Sequence, residues 1–267
     1  MRIVGIMLVR NEDLFVRQAA LNVLGFCDEL LAVDNMSDDG TPAILRALES
    51  ESGGRLKYHR VADPGESHDL VAGLAGTDTW VFGVDGDEIY DAEGLSRMRR
   101  RMESGEFDRD WVVFGNVFNL ASIEPDHSLA RGHLSPPCRS MTKLYNFNAI
   151  DAWQGPCKER LHGGRVVFRP GFDESKRRNL HEQTEWKDSD FRCLHTCFLR
   201  RSSTEAHEPG PRRNIMDQHA WGWRKICKEA LRLVRGLPLS NWKLERYARG
   251  PLETLPVDMF FRTDLAR

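Results

Sequence analysis

Short apolar runs alternate with amphipathic stretches through the first half of the chain. Residues 3–9 are almost continuously apolar, which is typical of a strand buried on both faces of a parallel sheet. Similar runs at 30–33, 56–60, 80–84 and 111–120 predict four further strands. The regular spacing of these runs leaves room for a helix between most neighbouring strands.

The stretches between the strands carry helix signals. Asn11 is predicted to cap a first helix, and Thr41 followed by Pro42 is a strong start for a second one. Helical patterns also cover residues 67–75 and 92–102. Strands that alternate with helices predict an α/β fold, with a mostly parallel sheet and helices on both faces. Ligands bind such sheets at the carboxyl ends of the strands.

The alternation ends near residue 121. Residues 121–140 are rich in proline and glycine and predict loops, whereas residues 141–200 predict mixed strands and loops, most clearly strands at 166–168 and 191–199. Residues 215–235 predict a helix with an apolar stripe and a basic opposite face. That basic face is either solvated or a surface that makes peripheral membrane contact or binds an anionic acceptor.

The composition narrows the class of protein. The chain has 267 residues, with 38 Lys and Arg against 40 Asp and Glu, so it predicts a globular protein without a general attraction to nucleic acid. No stretch approaches the roughly 20 apolar residues of a membrane span, and the first residues do not resemble a signal peptide. Six cysteines without a CxxC pair indicate reduced thiols. We therefore expect a cytoplasmic protein.

Two acidic motifs follow predicted strands. In V-D-G-D-E at 84–88, Asp85 and Asp87 are spaced so that both carboxylates leave the same side of the strand end, where they can hold a hard divalent cation. The alternative is that they cap a helix and fill a turn.

The second motif is V-D-N-M-S-D-D-G-T at 33–41. Asp34 can accept hydrogen bonds from a base or a ribose, and the helix that starts near Thr41 offers free N–H groups. Turn and cap roles explain Ser37 and Thr41 but leave Asp34 and Asn35 unexplained.

Together with V-R-N-E at 9–12, these motifs resemble the nucleotide-binding half of family 2 glycosyltransferases with the GT-A fold. The resemblance implies that Asp34 contacts the nucleobase, and that the D-x-D pair Asp85 and Asp87 holds Mn²⁺ or Mg²⁺ on the diphosphate of a nucleoside-diphosphate sugar. It also implies a donor-binding half over 1–118, an acceptor-binding half over 119–203 and a C-terminal helical extension over 204–267. The implied donor-binding residues are Val9, Arg10, Asn11, Glu12, Asp34, Asn35, Ser37, Asp85 and Gly86.

A later segment, L-H-T-C-F-L-R-R-S at 194–202, resembles the part of the family in which a histidine on a strand completes the metal site. His195 is accordingly the candidate third ligand, beside Asp85 and Asp87. Strand alternation also puts Cys193 and Cys197 on the same face as His195, which leaves a zinc site as an alternative. A buried, hydrogen-bonded histidine without a metal is the other alternative.

The segment C-K-E-R-L at 157–161 is similar to a family motif of the acceptor half, with Lys158 in the position of its histidine. Inverting sugar transfer needs a base that takes a proton from the acceptor hydroxyl. Glu159 is the first candidate for this catalytic base and Asp151 the second. An exposed glutamate in a surface ion pair is the alternative interpretation of Glu159.

Other features of the resemblance are open in this sequence. Trp153, Phe147 and Tyr145 could be platforms for sugar rings or parts of the core. The basic residue that the family places after the third strand has no clear counterpart, because the acidic residues Glu66 and Asp69 accompany the candidates Arg60 and His68. The nucleotide therefore stays open between uridine and guanosine.

The motifs predict an enzyme that moves a sugar from a UDP- or GDP-sugar to an acceptor hydroxyl, with a metal ion and with inversion at the anomeric carbon. The alternative is a degenerate GT-A module that binds a nucleotide or a partner without catalysis. A dinucleotide-dependent dehydrogenase is disfavoured, because V-R-N-E stands where such an enzyme has a glycine-rich loop.

Overall fold

A computed structural model describes residues 1–205 and 242–262 of the chain. The helices are α1 (Val16–Leu24), α2 (Thr41–Glu51), α3 (Glu66–Ala72), α4 (Ala92–Glu103), α5 (Leu180–Gln183) and α6 (Trp242–Tyr247). The strands are β1 (Arg2–Val9), β2 (Glu29–Asp34), β3 (Leu56–Arg60), β4 (Thr79–Asp85), β5 (Glu88–Tyr90), β6 (Val112–Ile123), β7 (Leu129–Ser135), β8 (Thr142–Asn146), β9 (Ile150–Glu159), β10 (His162–Phe168), β11 (Arg177–Asn179), β12 (Arg192–His195) and β13 (Glu253–Pro256).

The predicted α/β architecture is confirmed by the order of the strands. The main sheet runs β13-β7-β6-β8-β4-β1-β2-β3, and β3, β2, β1 and β4 are parallel to one another. Beyond β4 the sheet changes character, since β8 pairs antiparallel with both β4 and β6. The contiguous run of parallel strands therefore ends at β4, before the βα alternation of the sequence ends near residue 121.

Helices and loops cover both faces of the parallel strands, which is why those strands are apolar throughout. Met7 and Phe82 belong to one buried cluster, which includes residues of α1, α2 and α4. Ile6 and Val81, one position earlier on the same strands, belong to a second buried cluster on the opposite face. The prediction of a strand buried on both faces is confirmed for β1, whose residues from Ile3 onward are buried.

The predicted cap of the first helix is wrong. Helix α1 begins at Val16 with Phe15 at its N-cap position, and Asn11 lies upstream with a φ of 54°. Asparagine tolerates this left-handed conformation better than most residues. Its side-chain oxygen accepts a hydrogen bond from the backbone N–H of Asp38 at 2.9 Å, so Asn11 ties two loops together.

Three strand predictions need correction. The stretch predicted as loops at 121–140 contains β7, which pairs antiparallel with β6. Gly132 allows this pairing because a Cβ there would overlap the backbone of Asn119 on β6. The short β5 was not predicted, and the strand expected over 191–199 ends at His195. In each case pairing with a distant strand, rather than the local pattern, sets the boundary.

The C-terminal extension was predicted to be helical, but its described part contains a strand. β13 pairs antiparallel with β7 at the end of the main sheet, and α6 precedes it. The helix predicted over 215–235 lies outside the described residues. None of the helices within 1–205 and 242–262 has the length and apolarity that crossing a membrane requires.

Candidate functional site

The carboxyl ends of the parallel strands bring the sequence motifs together. Val9 lies opposite Asp34 in the β1–β2 pair, and Leu8 lies opposite Asp85 in the β1–β4 pair. Gly86 packs directly against this edge, since a Cβ at Gly86 would overlap Val9 and the carboxylate of Glu12. The V-R-N-E, V-D-N-M-S and V-D-G-D-E motifs therefore lie side by side at one edge of the sheet.

Hydrogen bonds join the first two motifs. The backbone N–H of Asn11 donates to Ser37 Oγ at 2.8 Å, and the backbone N–H of Glu12 donates to Thr41 Oγ1 at 2.8 Å. The backbone N–H of Asn35 donates to the carbonyl of Val9 at 2.8 Å. These contacts fix the two loops against each other before any ligand binds.

Asp34 holds the loop after β2 from inside. Its carboxylate is fully buried, and its Oδ1 accepts from the backbone N–H of Ser37 at 3.0 Å. Its Oδ2 accepts from Tyr58 Oη at 3.2 Å and lies 3.5 Å from Arg60 Nε. In the sequence, turn and cap roles left Asp34 unexplained. In the structure Asp34 does support the loop, because Tyr58 and Arg60 of β3 are two of its partners.

Arg10 and Asn35 form the adjoining part of the edge. Arg10 Nη1 donates to Asn35 Oδ1 at 3.3 Å, and Asn35 Nδ2 donates to the carbonyls of Val61 and Ala62 at 3.2 and 3.0 Å. The two side chains therefore tie the end of β1 to the segment that follows β3.

Each carboxylate of the D-x-D motif contacts a buried arginine. Asp85 is 41% exposed, and its Oδ1 lies 2.5 Å from Arg160 Nη2. Asp87 is 4% exposed and contacts Arg201 Nη1, which also lies 3.5 Å from Glu12 Oε1. Neither arginine was predicted as a site residue, although both stand inside the motifs C-K-E-R-L and L-H-T-C-F-L-R-R-S.

His195 lies at the end of β12 and faces Asp87. Its Nε2 is 3.5 Å from Asp87 Oδ2, and its Nδ1 is hydrogen-bonded to Asn119 Oδ1 at 2.9 Å. An amide oxygen only accepts, so the Nδ1 atom carries the proton of that bond. Tyr247 of α6 packs its ring edge-on to the imidazole, with the centroids 5.3 Å apart. No local sequence pattern marks Asn119 or Tyr247 as neighbours of His195, because both are distant from it along the chain.

The structure brings together only two of the three predicted metal ligands. Asp87 and His195 meet, whereas Asp85 turns to Arg160. Within residues 1–205 and 242–262, no group of three or more His, Cys, Asp and Glu side chains could hold a metal ion. Cys193 and Cys197 do not form such a group with His195. Asp87 and His195 are the two predicted ligands that lie together.

Glu159 and Asp151 lie at opposite ends of β9. Glu159 is buried, with its Oε1 3.4 Å from His162 Nδ1 and 3.8 Å from Arg160 Nη2. Asp151 is exposed and lies 3.5 Å from Arg169. The two carboxylates therefore have different neighbours, Arg160 and His162 for Glu159 and Arg169 for Asp151. Because Arg160 also contacts Asp85, Glu159 is the one next to the D-x-D motif.

Arg160 is held in an unusual backbone conformation. Its φ is 34°, in the left-handed region that non-glycine residues rarely adopt. Two residues of α3 hold it, since its backbone N–H donates to Ser67 Oγ at 2.8 Å and its carbonyl accepts from His68 Nδ1 at 2.5 Å. Strained residues of this kind cluster at functional sites. The conformation directs the guanidinium to Asp85 and to the carbonyl of Val84.

Burial changes the protonation of two groups beside these arginines. Burial raises the pKa of Glu88 to about 7, and the nearby charge of Asp85 adds to the effect. Tyr90 Oη donates to Glu88 Oε2 at 2.6 Å. In contrast, burial lowers the pKa of His162 to about 3, helped by the positive charges of Arg160 and Lys143. His162 is therefore a neutral imidazole beside Glu159.

The aromatic residues proposed as sugar platforms belong to the core. Trp153 packs edge-on to Tyr145 with centroids 5.4 Å apart and lies 6.0 Å from Phe147. All three side chains are buried in the cluster on one face of the sheet. The alternative interpretation of these residues therefore holds.

The sequence matches the family model described as glycosyl transferase family 2 over residues 6–176, which is more than half of the chain. The chain belongs to glycosyl transferase family 2. The family predicted from the three strand-end motifs is thereby confirmed. No curated protein matches the chain in sequence.

The chain is also similar to two solved structures. The TarS 1-349 structure from S. aureus, in complex with UDP, is 16% identical with a TM-score of 0.40, over 55% of this chain and 47% of that one. Glucosyl-3-phosphoglycerate synthase from Mycobacterium tuberculosis, in complex with phosphoglyceric acid, is 17% identical with a TM-score of 0.37, over 56% of this chain and 58% of that one. The match therefore spans about half the length of the S. aureus structure.

Proposed function

We propose that this protein transfers a sugar from a nucleoside-diphosphate sugar to an acceptor hydroxyl, with inversion and with the help of Mn²⁺ or Mg²⁺. The observation that carries the proposal is the position of Arg160, whose guanidinium lies against both Asp85 and Glu159. The D-x-D motif and the candidate base are thus neighbours at the edge where Val9 and Asp34 also lie. In this proposal residues 1–118 bind the donor and residues 119–203 supply the base and the acceptor side.

The residues at Asp87 fit a divalent cation whose remaining ligands come from the donor. Asp87 offers a carboxylate, and His195 offers Nε2, because Nδ1 is held by Asn119. A hydrogen bond from the second ring nitrogen is what usually orients a metal-binding histidine. Mg²⁺ is commonly bound by one or two carboxylates, water and substrate phosphates, so two protein ligands suffice. Such a cation would neutralise the negative charge on the departing diphosphate.

Arg201 and Arg160 supply fixed positive charge around the same place. Arg201 is buried between Asp87 and Glu12, and Arg160 is buried against Asp85. The Nε atom of each has no hydrogen-bond partner among the described residues. Guanidinium groups that need no reorganisation stabilise charge that develops on a leaving group. We assign both arginines to the diphosphate side of the site.

Glu159 is the proposed base, and Asp151 is not. Inverting transfer requires a carboxylate that accepts the proton of the acceptor hydroxyl as the new glycosidic bond forms. Glu159 is oriented by Arg160 and His162 at the site edge. Asp151 lies at the far end of β9 beside Arg169, so it provides a matched control.

The proposal is tested by thermal-shift measurements with UDP, GDP, CDP and dTDP, each with and without Mn²⁺. We expect UDP or GDP to raise the melting temperature with Mn²⁺ present, and EDTA to reduce the shift. The nucleotide that binds is then offered as a series of sugar nucleotides, and release of the nucleoside diphosphate is measured. Binding without any release would favour the degenerate module, and no shift with any nucleotide would contradict the proposal.

Asp34→Ala should weaken nucleotide binding strongly. The substitution removes a buried carboxylate that accepts from Ser37 and Tyr58, so the loop beside Val9 loses its internal support. We expect a loss of about 1.5–3 kcal/mol, or at least about tenfold in affinity, with the Mn²⁺ requirement retained. Calorimetry with the preferred nucleotide measures it. Asp38→Ala, an exposed change in the same loop, is the control, and an affinity of Asp34→Ala within twofold of wild type would remove Asp34 from the site.

His195→Ala should raise the Mn²⁺ concentration needed for half-maximal activity. The substitution removes the nitrogen that faces Asp87, while Asn119 retains a hydrogen bond to Ser140 at 2.8 Å. We expect a shift of at least about tenfold, because even residues that only orient a metal ligand cost 10–100-fold in metal affinity. The melting temperature without Mn²⁺ serves as the control for folding. An unchanged Mn²⁺ dependence would favour the buried-histidine interpretation.

A further inference from the structure

Lys143 carries a positive charge that the site described above does not use. It lies on β8, is partly buried, and its Nζ donates to His162 Nε2 at 3.4 Å. Among the residues that the structure describes, no carboxylate lies within ion-pair distance of this ammonium group. A desolvated charge is costly unless an opposite charge compensates it. Lys143 is therefore a candidate to bind an anion from outside the chain.

The surroundings of Lys143 make its charge less favourable still. Burial lowers the pKa of Lys143, and the positive charge of Arg160 lowers it further. Asp85 and Glu88 offset this only in part. Its hydrogen-bond partner His162 is neutral, because burial and the same cations lower the pKa of that imidazole. A bound oxyanion would stabilise the charged form of Lys143 and so raise its pKa.

His162 connects Lys143 to the proposed base. Because Nε2 accepts from Lys143, the ring proton resides on Nδ1, which faces Glu159 Oε1 at 3.4 Å. The ammonium, the imidazole and the carboxylate thus form a row. An anion on Lys143 would lie one side chain away from the hydroxyl that Glu159 deprotonates.

The order of the strands separates Lys143 from the loops proposed to bind the nucleoside of the donor. Asp34 and Val9 lie on β2 and β1, the D-x-D motif follows β4, and Lys143 lies on β8, opposite Gly83 of β4. Three features therefore follow in order along this edge. They are the loops assigned to the nucleoside, the D-x-D motif assigned to the diphosphate, and Lys143. Lys143 lies on the side of β4 away from the nucleoside loops, which is the acceptor side.

We propose that the acceptor carries an oxyanion, a phosphate or a carboxylate, that binds Lys143 next to the hydroxyl activated by Glu159. The inference rests on the proposed function, since it uses Glu159 to define the acceptor side. His162 acts as a positioning residue, because its two ring nitrogens hold Lys143 and Glu159 at fixed positions relative to each other. No bond is made or broken at Lys143, because the interaction is a charge-assisted hydrogen bond.

The test titrates inorganic phosphate, and separately acetate, into the protein saturated with Mn²⁺ and the nucleoside diphosphate that it binds. The variants are Lys143→Met, which removes the charge at similar volume, and Lys143→Arg, which keeps it. Lys158→Met is the control, because Lys158 is exposed on β9 and has no place in the proposed site. Comparing phosphate with acetate shows which oxyanion the site prefers.

We expect phosphate or acetate to bind the nucleotide-saturated wild type, and Lys143→Met to weaken that binding at least about tenfold, as loss of a charge-assisted contact should. Lys158→Met should bind like wild type, and Lys143→Arg should recover most of the affinity. Failure of both anions to bind, equal binding by Lys143→Met, or weaker nucleotide binding by Lys143→Met would overturn the inference. A wild type that binds no nucleotide would instead refute the proposed function, which keeps the two failures distinct.

Discussion

Glu159→Gln should leave nucleotide binding unchanged and lower the rate of sugar transfer by about 10²–10⁴, the usual contribution of a general base. The amide keeps the size of the side chain and its contact with Arg160, but it cannot take up the proton of an acceptor hydroxyl. The loss should appear in kcat rather than in the affinity for the donor. Measuring nucleotide affinity and transfer on the same preparation separates the two effects.

The control for this prediction is Asp151→Asn, the equivalent change at the other end of β9. Asp151 is exposed beside Arg169 and far from the D-x-D motif, so its loss should alter transfer by less than about twofold, as exposed ion pairs contribute little. Transfer that survives Glu159→Gln within a few-fold would reject Glu159 as the base. A large effect of Asp151→Asn alone would show that the acceptor reaches the opposite end of β9.

Asp87→Asn should abolish most of the cation-dependent nucleotide binding. Asp87 is buried, faces His195 and contacts Arg201, so it is the better placed of the two D-x-D carboxylates to hold a cation. We expect at least about a 100-fold loss of Mn²⁺ affinity, since residues that merely orient metal ligands already cost 10–100-fold. Calorimetry of Mn²⁺ binding in the presence of the nucleotide measures the effect.

Asp85→Asn provides the comparison for Asp87→Asn. Asp85 is more exposed and contacts Arg160, so its loss should change Mn²⁺ affinity less while still weakening nucleotide binding. Asp87→Asn also leaves the buried Arg201 with Glu12 as a carboxylate neighbour, so the melting temperature of each variant is measured alongside. Equal Mn²⁺ affinity in Asp87→Asn and wild type would assign the cation to other residues.

The parallel half of the fold follows from local signals. The apolar run of β1, the Thr41–Pro42 start of α2 and the pattern of α4 each lie within a dozen residues, and the structure confirms these elements. The strand-end motifs were predictable for the same reason, because consecutive parallel strands end at one edge. The βα alternation alone was enough to predict that these motifs lie together.

Antiparallel pairing was harder to predict from the sequence. β7 carries a glycine and polar residues that are typical of loops, yet Gly132 is what lets β7 approach Asn119 closely. β5 is a three-residue strand that exists because β12 pairs with it. Such strands depend on partners many residues away, and a local pattern does not contain that information.

The sequence by itself determined the α/β class, the family, and the strand-end edge at which Asp34, Asp85 and Asp87 lie, because strand ends and turn residues are local features. Only the tertiary structure places Glu159 beside Arg160 and the D-x-D motif and Asp151 beside Arg169, because the neighbours of each end of β9 come from distant segments. It also brought Arg160 and Arg201 to the two D-x-D carboxylates and placed Lys143 beside His162, next to the proposed base. Long side chains buried at a sheet edge are paired by the packing of distant segments, and the spacing of residues along the chain does not encode those contacts.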